Sequence, residues 1–432
     1  MALEFPDGFY WGAATSSHQV EGNCRNNQWW AWEQVEGNIK DGTTSGIACD
    51  HYNRFDEDFA LLKELGHNAH RLSIEWSRIE PEEGRWDEKE VEHYRRVMES
   101  LQRHGLTPVV TLHHITNPLW FEEKGGWTSP EAPERIARYS GYMAKQLGDA
   151  VPFWLTINEL SVVPAACYIA GVHPPCKRDM GLAMTAARHM LIAHGKMYNA
   201  VRENAPHDPK IGPVLNMIDV QAATDSAEDE QAARGFDLYW NVFYPEGIRT
   251  GIVGPPAGGG EEVEGLKGTW DVVGLNYYSR SVIAAAGGPM GLRQVAPAPD
   301  SERSTMGWEV HPEGFYRVMM MLKQYGLPVY ITENGIGTDD DEQRQRYVVR
   351  HLKRVHQAIG DGLDVRSYLH WSSTDNFEWA EGYRQKFGLI AMEGEELKRV
   401  PKPSAHMFRE IATANAVPDA LVGKHLRAEE RG

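Results

Sequence analysis

The sequence predicts an α/β protein built as a single (β/α)8 barrel, a TIM barrel with expanded loops after its strands. Short apolar or β-branched runs alternate with long amphipathic segments, and each kind occurs eight times. The runs are apolar throughout, which is typical of parallel strands buried on both faces. A length of 432 residues suits such a barrel when its loops are long. A doubly wound open sheet also fits the alternation, but no G-x-G-x-x-G follows the first strand.

The predicted elements follow one another along the whole chain, so residues 1–432 are expected to form one domain. Strands are predicted at 9–14, 68–74, 107–113, 151–157, 210–216, 271–276, 328–332 and 365–371. Helices are predicted at 55–66, 88–105, 131–147, 180–203, 227–243, 312–325, 341–358 and 404–413. Gly105 is a suitable end for the second helix. The run TDDDEQRQR (338–346) is a suitable start for the seventh, because acidic groups are favoured at a helix N-terminus.

Two segments rich in glycine, proline and charge, 251–268 and 284–305, are expected to be long surface loops. Neither is expected to be an interdomain linker, because the strand count closes only when both sides of each segment belong to one barrel. The tail after about Asn415 is expected to be solvated and frayed.

Composition excludes several classes of protein. The chain has 44 Lys+Arg and 61 Asp+Glu, a formal net charge of −17, which argues against nucleic acid or an anionic membrane as the main partner. No run of 18 apolar residues and no signal-peptide pattern is seen, so a membrane span and a secretory leader are not expected. Four cysteines without a C-x-x-C motif indicate reduced thiols, and we expect a cytoplasmic protein.

Two glutamates stand where predicted strands end, which is where a barrel carries its chemistry. Glu159 follows LTIN and Glu333 follows VYIT. Glycoside hydrolysis requires two carboxyl groups that face one pocket. One protonates the leaving oxygen, and the other either attacks the sugar or activates a water molecule. The alternative is that each glutamate is simply solvated, as most are. Serine-hydrolase and nucleotide-binding motifs, G-x-S-x-G and G-x-x-x-x-G-K-[ST], are absent from the sequence.

The other predicted strand ends carry polar and aromatic groups of the kind that bind sugars. Amide, carboxylate and imidazole groups hydrogen-bond hydroxyls, and an indole ring packs on the apolar face of a sugar. Each of these residues has a structural alternative, such as core packing or an ion pair, and the His113–His114 pair lacks a third ligand for a metal, so no metal is expected. The residues are Gln19, Glu21, Arg71, His113, His114, Asn276, Tyr277, Tyr278, Trp371, Asp375, Asn376, Glu378 and Trp379.

Six segments in order resemble the motifs of glycoside hydrolase family 1, the retaining β-glucosidases and related β-glycosidases, over about residues 5–410. They are FYWGAATSSHQVEG, NAHRLSIEWSRI, TINE, DVVGLNYYSR, YITENG and WSSTDNFEWAEGY. The resemblance implies that Glu159 is the general acid/base and Glu333 the nucleophile. It implies that Gln19, His114, Asn158, Glu378 and Trp379 bind the sugar, with Trp371 as the stacking floor. It further implies that Arg71 and Tyr278 hold the nucleophile, that Asn276 lies near it, and that Trp308 stands on the leaving-group side.

The sequence departs from the family pattern at a few positions. After the third strand the family usually has an aromatic residue where this chain has Ile115, which bears on the preference among glucose, galactose and fucose. Leu160 stands where many members have proline. Glu378 argues against the phospho-sugar branch of the family, because a carboxylate repels a dianionic phosphate. A 6-phospho-β-glycosidase and a non-catalytic sugar-binding barrel are the alternatives to a β-glucosidase.

The implied reaction is hydrolysis of terminal non-reducing β-linked sugars through a covalent glycosyl-enzyme, with transglycosylation as a side reaction. In retaining enzymes the two carboxyl groups are about 5 Å apart. Arg71 and Tyr278 are expected to keep Glu333 ionised, while burial and the charge of Glu333 raise the pKa of Glu159 so that it starts protonated. The expected partners are small β-glycosides or oligosaccharides, of β-glucose and also β-galactose or β-fucose, and no metal or organic cofactor is needed.

Overall fold

Eight parallel strands close into a barrel in the computed structural model, which describes residues 1–287 and 291–426. In chain order these strands are Tyr10–Ala14 (β1), Ala69–Ser73 (β2), Thr107–His113 (β3), Phe153–Asn158 (β4), Lys210–Asn216 (β5), Val273–Tyr277 (β6), Val329–Asn334 (β7) and Val365–Trp371 (β8). Each strand pairs with the next, and β8 pairs with β1 to close the ring. The predicted barrel is therefore confirmed, and the open sheet is excluded.

Helices between the strands form the outer layer, and their apolar faces pack on the barrel. The main ones are His51–Glu64 (α1), Glu88–Arg103 (α2), Ala132–Leu147 (α3), Met180–Asn204 (α4), Ala227–Asp237 (α5), Pro312–Leu322 (α6), Asp341–Gly360 (α7) and Pro403–Ala414 (α8). The Asp340 side chain accepts a hydrogen bond from the backbone N–H of Glu342, so the acidic run does begin α7. No helix within residues 1–287 and 291–426 is long and apolar enough to cross a membrane.

Shorter elements decorate the loops. Short helical segments are Ser17–Val20, Gln28–Glu33, Trp76–Ile79, Leu119–Glu123, Gly126–Thr128, Pro164–Ile169, Leu238–Val242, Phe243–Thr250, Lys323–Tyr325, Trp379–Glu381 and Asp419–His425. Short strands are Leu3–Glu4, Asp219–Ala222, Ile252–Val253, Glu261–Glu262, Arg280–Ala285, Leu292–Val295, Ile390–Glu393, Lys398–Pro401 and Ala416–Val417.

The amino-terminal end of the barrel is filled by three aromatic rings. Phe153 lies 5.6 Å from Tyr10 and 5.1 Å from Tyr330 between ring centroids. These rings pack with Ala69, Val109, Leu155, Val214 and Leu369 in an apolar cluster separate from the main core. Strands approach closely around them, and a Cβ on Gly12 would lie 2.1 Å from the carbonyl oxygen of Ala69, which explains the glycine in β1.

Three sequence expectations about irregular segments are corrected. The loop 251–268 contains the antiparallel pair Ile252–Val253 and Glu261–Glu262. The expected loop 284–305 includes the end of Arg280–Ala285 and the strand Leu292–Val295, which join Asp219–Ala222 in a three-stranded sheet, and its residues 288–290 lie outside the described part.

The tail is the third correction, because residues 416–426 are packed rather than frayed. Ala416–Val417 pairs with Leu3–Glu4, and the helix Asp419–His425 follows. Val417, Val422 and Leu426 are buried. Burial of these apolar side chains stabilises the packed tail, although many of its neighbouring residues in the sequence are charged. Residues 427–432 lie outside the described part of the chain.

Candidate active site

A cavity of about 520 Å³ opens at the carboxyl end of the barrel strands. Nine of the residues proposed from the sequence line it, namely His114, Asn158, Glu159, Tyr278, Trp308, Glu333, Trp371, Glu378 and Trp379. The other three, Gln19, Arg71 and Asn276, lie behind the lining and hydrogen-bond to residues that form it. All twelve therefore belong to one site.

Glu333 lies on β7, and both of its carboxylate oxygens have strong partners. Arg71, on β2, donates from Nη1 to Oε1 at 2.5 Å, and the Tyr278 hydroxyl donates to Oε2 at 2.5 Å. The Glu333 side chain is 4% exposed and that of Arg71 is fully buried, so this ion pair is shielded from solvent. Burial and then the charge of Glu333 raise the pKa of Tyr278 well above its ordinary value, which keeps its hydroxyl protonated as a donor. These contacts fix both carboxyl oxygens of Glu333 in place.

Arg71 is itself fixed by three other strands. Its Nε donates to Thr111 Oγ1 at 3.0 Å, and its Nη1 reaches the backbone carbonyl of Thr332 at 3.3 Å. Its Nη2 donates to Asn158 Oδ1 at 2.7 Å. The guanidinium therefore connects the neighbourhoods of both glutamates and has little freedom to move.

Glu159 follows β4 directly, in surroundings unlike those of Glu333. Its backbone has φ +54°, a left-handed conformation that is strained in a residue other than glycine and that redirects the chain just after the strand. Its Oε1 accepts from Asn216 Nδ2 at 2.7 Å and from Asn276 Nδ2 at 3.0 Å. Burial, followed by the charge of Glu333, raises the pKa of Glu159 to about 7.

Asn158 lies between the two glutamates, and its amide orientation is determined by its partners. Its Oδ1 accepts from Arg71 and, at 3.2 Å, from Asn276 Nδ2. Its Nδ2 therefore faces His114 Nε2, 3.1 Å away. Thr332 Oγ1 donates to Asn276 Oδ1 at 2.6 Å and so fixes that amide as well. Burial, followed by the charge of Arg71, lowers the pKa of His114 well below its ordinary value, so the ring is neutral.

Gln19 and Glu378 meet at the innermost end of the cavity. Gln19 Nε2 lies 3.3 Å from Glu378 Oε2, and Ser16 Oγ donates to Gln19 Oε1 at 2.6 Å. The Trp371 side chain also hydrogen-bonds to Glu378, and its ring lies 5.9 Å from that of His114 at an angle of 20°. Burial, and then the charges of Glu333 and Glu159, raise the pKa of Glu378 to about 8.

Aromatic rings flank the outer part of the cavity. Trp308 is 37% exposed and lies 5.4 Å from Tyr278 between ring centroids. Phe236 and Trp240 also line the cavity, and their rings are stacked 5.3 Å apart with an interplanar angle of 16°. Ile115 also lines the cavity, with φ +72°, which is a strained conformation for a β-branched residue.

The remaining strand-end candidates have structural partners instead. Glu21 pairs with Arg78 at 2.9 Å, His113 Nε2 lies 2.8 Å from Asn117 Oδ1, and Asp375 pairs with Lys402 at 2.8 Å. The Tyr277 hydroxyl donates to the backbone carbonyl of His311, and Asn376 Oδ1 accepts from Gln19. Across residues 1–287 and 291–426 no group of three or more His, Cys, Asp or Glu side chains is arranged to hold a metal ion.

Sequence reasoning missed Asn216, Phe236 and Trp240. Asn216 ends the predicted strand 210–216, so the test applied to the other strand ends would have identified it. Phe236 and Trp240 lie on consecutive helical segments after β5, where aromatic residues are most often core, and the sequence holds no signal that separates them from core residues.

Comparison with known proteins decides the family. The family model described as glycosyl hydrolase family 1 matches residues 1–417. The chain belongs to glycosyl hydrolase family 1. Within it, β-glucosidase A of Thermotoga maritima is 35% identical, over 96% of this chain and 99% of that protein. A bifunctional β-D-glucosidase/β-D-fucosidase of Bifidobacterium breve is 34% identical, over 95% and 98%. The structure of a β-glycosidase from Pyrococcus horikoshii superposes with a TM-score of 0.93 at 36% identity, covering both chains completely. The resemblance read from the six motifs is confirmed.

Proposed function

We propose that this family 1 chain is a retaining β-glycosidase, a β-glucosidase that also acts on β-galactosides or β-fucosides. It removes terminal non-reducing β-linked sugars from small glycosides or oligosaccharides. The observation that carries the proposal is the pair of carboxyl groups on one cavity in opposite surroundings. Glu333 is held by a buried cation and a hydroxyl donor, whereas Glu159 accepts only amide N–H groups and has its pKa raised to about 7.

Those surroundings assign the first step. The carboxylate of Glu333 attacks the anomeric carbon while Glu159 gives its proton to the departing oxygen, so the leaving group departs as a neutral alcohol. A glycosyl ester of Glu333 forms. Because esterification removes the charge that raised the pKa of Glu159, Glu159 becomes the more acidic group and is left as a carboxylate.

The second step reverses the proton transfer. Glu159 takes a proton from water, the hydroxide oxygen attacks the anomeric carbon, and Glu333 is released as a carboxylate. Two inversions at one carbon leave the β configuration retained. Asn158, which Arg71 and Asn276 fix in orientation, is assigned to the sugar 2-hydroxyl, a contact that strengthens as positive charge develops on the ring.

The inner end of the cavity is assigned to the sugar. Gln19 and Glu378 are proposed to bind the outer hydroxyls, with His114 and Trp379 beside them and Trp371 beneath the ring. Trp308 is assigned to the leaving-group side. Glu378 offers no cation to a 6-phosphate and repels it when ionised, which argues against the phospho-glycosidase alternative. A non-catalytic receptor would not need both glutamates in this arrangement.

We further propose that residues 1–432 act as one catalytic domain in the cytoplasm, in carbohydrate metabolism that includes polysaccharide degradation. The four cysteines are all free thiols, which suits a reducing compartment. No cofactor is assigned, because the carboxyl pair and its donors supply the acid, base and nucleophile. Fractionation of producing cells tests the location.

The experiment for the two roles uses Glu159→Ala and Glu333→Ala with an activated β-glucoside and azide. In Glu159→Ala the base is missing, so the glycosyl-enzyme accumulates until azide attacks it and gives the β-glycosyl azide. In Glu333→Ala azide occupies the vacated space, attacks directly and gives the α-azide. NMR of the products distinguishes them. The α product from Glu159→Ala together with the β product from Glu333→Ala would reverse the assignment.

A further inference from the structure

Asn216 connects the acid/base to an aromatic wall of the cavity. It ends β5, and its Nδ2 donates to Glu159 Oε1 at 2.7 Å. Its Oδ1 faces Trp240 Nε1 at 3.4 Å, and Trp240 is stacked on Phe236 at the outer part of the cavity. A line of hydrogen bonds therefore runs from the leaving-group side of the cavity to the carboxyl group that is assigned to protonate the leaving group.

We propose that Asn216 is a positioning residue that keeps the acid proton of Glu159 on Oε2, and that Trp240 holds the Asn216 amide in the orientation this needs. The inference rests on the proposed function, because it matters only if Glu159 is the acid.

The donors around Glu159 carry the first half of the inference. Oε1 accepts two N–H groups, from Asn216 at 2.7 Å and Asn276 at 3.0 Å. A proton on Oε1 would point at one of these donors, so the protonated form places its hydrogen on Oε2. In the part of the chain that the structure describes, Oε2 has no hydrogen-bond partner, and it is free to face a substrate oxygen.

The orientation of the Asn216 amide carries the second half. An indole N–H only donates, so Trp240 selects Oδ1 of Asn216 and turns Nδ2 toward Glu159. The flipped amide would set its oxygen against a carboxyl oxygen, and two acceptors would then face each other. Asn276 cannot replace this contact without loss, because its Oδ1 is already fixed by Thr332 and its Nδ2 is shared with Asn158.

The charges around Glu159 allow the inference to be tested through the pH dependence of activity. After burial, the charges of Glu333 and Arg71 act on the pKa of Glu159, and the charge of Glu159 in turn raises the pKa values of Glu378 and Tyr278. Burial lowers the pKa values of His114 and His173, which line the same cavity as neutral rings, and Arg280 and Glu309 pair with each other at 2.7 Å. None of these contacts is removed with Asn216. Its N–H favours the carboxylate form, so losing it raises the pKa of Glu159 further.

The test compares Asn216→Ala and Trp240→Phe with wild type on two β-glucosides. Phenyl β-glucoside needs proton donation to its leaving group, whereas 2,4-dinitrophenyl β-glucoside does not. kcat/KM reports only the steps up to glycosylation. Asn216→Ala should lose about tenfold in kcat/KM on the phenyl substrate, the worth of one hydrogen bond to a charged group, with less than about twofold change on the dinitrophenyl substrate. In the pH profile of kcat/KM on the phenyl substrate, the fall at basic pH should move up by about one pH unit in this variant.

Trp240→Phe should show the same selective loss of kcat/KM on the phenyl substrate and the same direction of pH shift, both smaller than in Asn216→Ala. An aromatic ring stays in place, and only the indole N–H is lost. Asn204→Ala is the control. Asn204 ends α4 outside the cavity and donates to the backbone carbonyl of Ala200, so both substrates should be unaffected.

The outcomes separate the inference from the function beneath it. A wild-type enzyme that hydrolyses neither glucoside contradicts the proposed function. The inference is overturned if the wild-type enzyme is active but the variants lose kcat/KM equally on both substrates. It is also overturned if the pH at which kcat/KM falls on the basic side stays the same in the variants. If Asn216→Ala fails to fold by thermal melting, Trp240→Phe alone decides by the same two criteria.

Discussion

Glu378 should destabilise the ligand-free protein as the pH rises. Burial and the charges of Glu333 and Glu159 raise its pKa from an ordinary 4.5 to about 8, so the folded protein holds this proton more tightly than the unfolded chain does. Stability is therefore lost as the pH climbs from about 4.5 toward about 8, because the unfolded chain gives up the proton first. Glu378→Gln keeps the size and the contact with Gln19 but has no proton to lose, so it should be the more stable protein at high pH.

The size of the effect follows from the two pKa values. Integrating proton binding between pH 5 and pH 8 gives a loss of about 3 kcal/mol in the free energy of unfolding for this one group. An unfolding entropy of about 2.1 cal/mol/K per residue amounts to about 0.9 kcal/mol/K for 432 residues, so this loss corresponds to about 3 °C in Tm.

The assay measures Tm for wild type and Glu378→Gln at both pH values without ligand. Titrating groups that do not interact with Glu378 contribute equally to both proteins. The measured quantity is therefore a difference of differences: Tm of the variant minus Tm of wild type at pH 8, less the same difference at pH 5. The expected value is about +3 °C. Glu395→Gln, at an exposed position, is the control and should give a value near zero. An equal pH dependence of Tm in wild type and Glu378→Gln would refute the reasoning.

Three further predictions concern activity and packing. On phenyl β-glucoside, kcat/KM should fall as the pH rises through about 7, since Glu159 must hold its proton to act as the proposed acid. A pH–rate profile that is flat from about pH 6 to about pH 8.5 would contradict this. Glu378→Ala should lower kcat/KM on aryl glucosides by about a hundredfold, as expected for the loss of its hydrogen bonds to the sugar in the transition state, and unchanged kcat/KM would remove Glu378 from the site. Lys402→Met should reduce the free energy of unfolding by about 3 kcal/mol, because it leaves Asp375 buried without its cation, and a Tm equal to that of wild type would argue against this ion pair as an anchor.

The barrel could be predicted from the sequence because its signals are repetitive. Eight apolar runs and eight amphipathic segments recur in one order, and each run is long enough to mark a strand buried on both sides. The segments that were mispredicted are those where tertiary contacts outweigh composition. Val417 and Leu426 lie in a polar tail, yet pairing with Leu3–Glu4 and packing of the last helix bury them. The sheet formed by Arg280–Ala285 and Leu292–Val295 depends on a strand distant in the chain, Asp219–Ala222.

The clustering of the candidate residues around one cavity could be predicted because polar groups recur at the strand ends, and the roles that the family motifs imply for them stay predictions. What the sequence could not supply is the set of contacts that distinguishes one residue from another. Nothing in the sequence shows that Arg71 bridges Glu333 and Asn158, or that Asn216 and Asn276 share one oxygen of Glu159. These contacts depend on side-chain directions set by strand bulges at Leu155–Asn158 and Leu275–Asn276, which a sequence pattern does not encode.

The rings of Tyr10, Phe153 and Tyr330 fill the amino-terminal end of the barrel, and the cavity at the carboxyl end is lined by Trp308, Phe236 and Trp240. In the proposed mechanism, this arrangement sets the order in which the products leave. The alcohol released in the first step stands between the glycosyl-enzyme and the opening, and water reaches the anomeric carbon only after it has gone. Any alcohol that settles in the vacated outer space competes with water at close range. Whether the bound sugar is hydrolysed or passed to a new acceptor is therefore decided by how well that acceptor fits the outer walls, and the free sugar is always the last to leave.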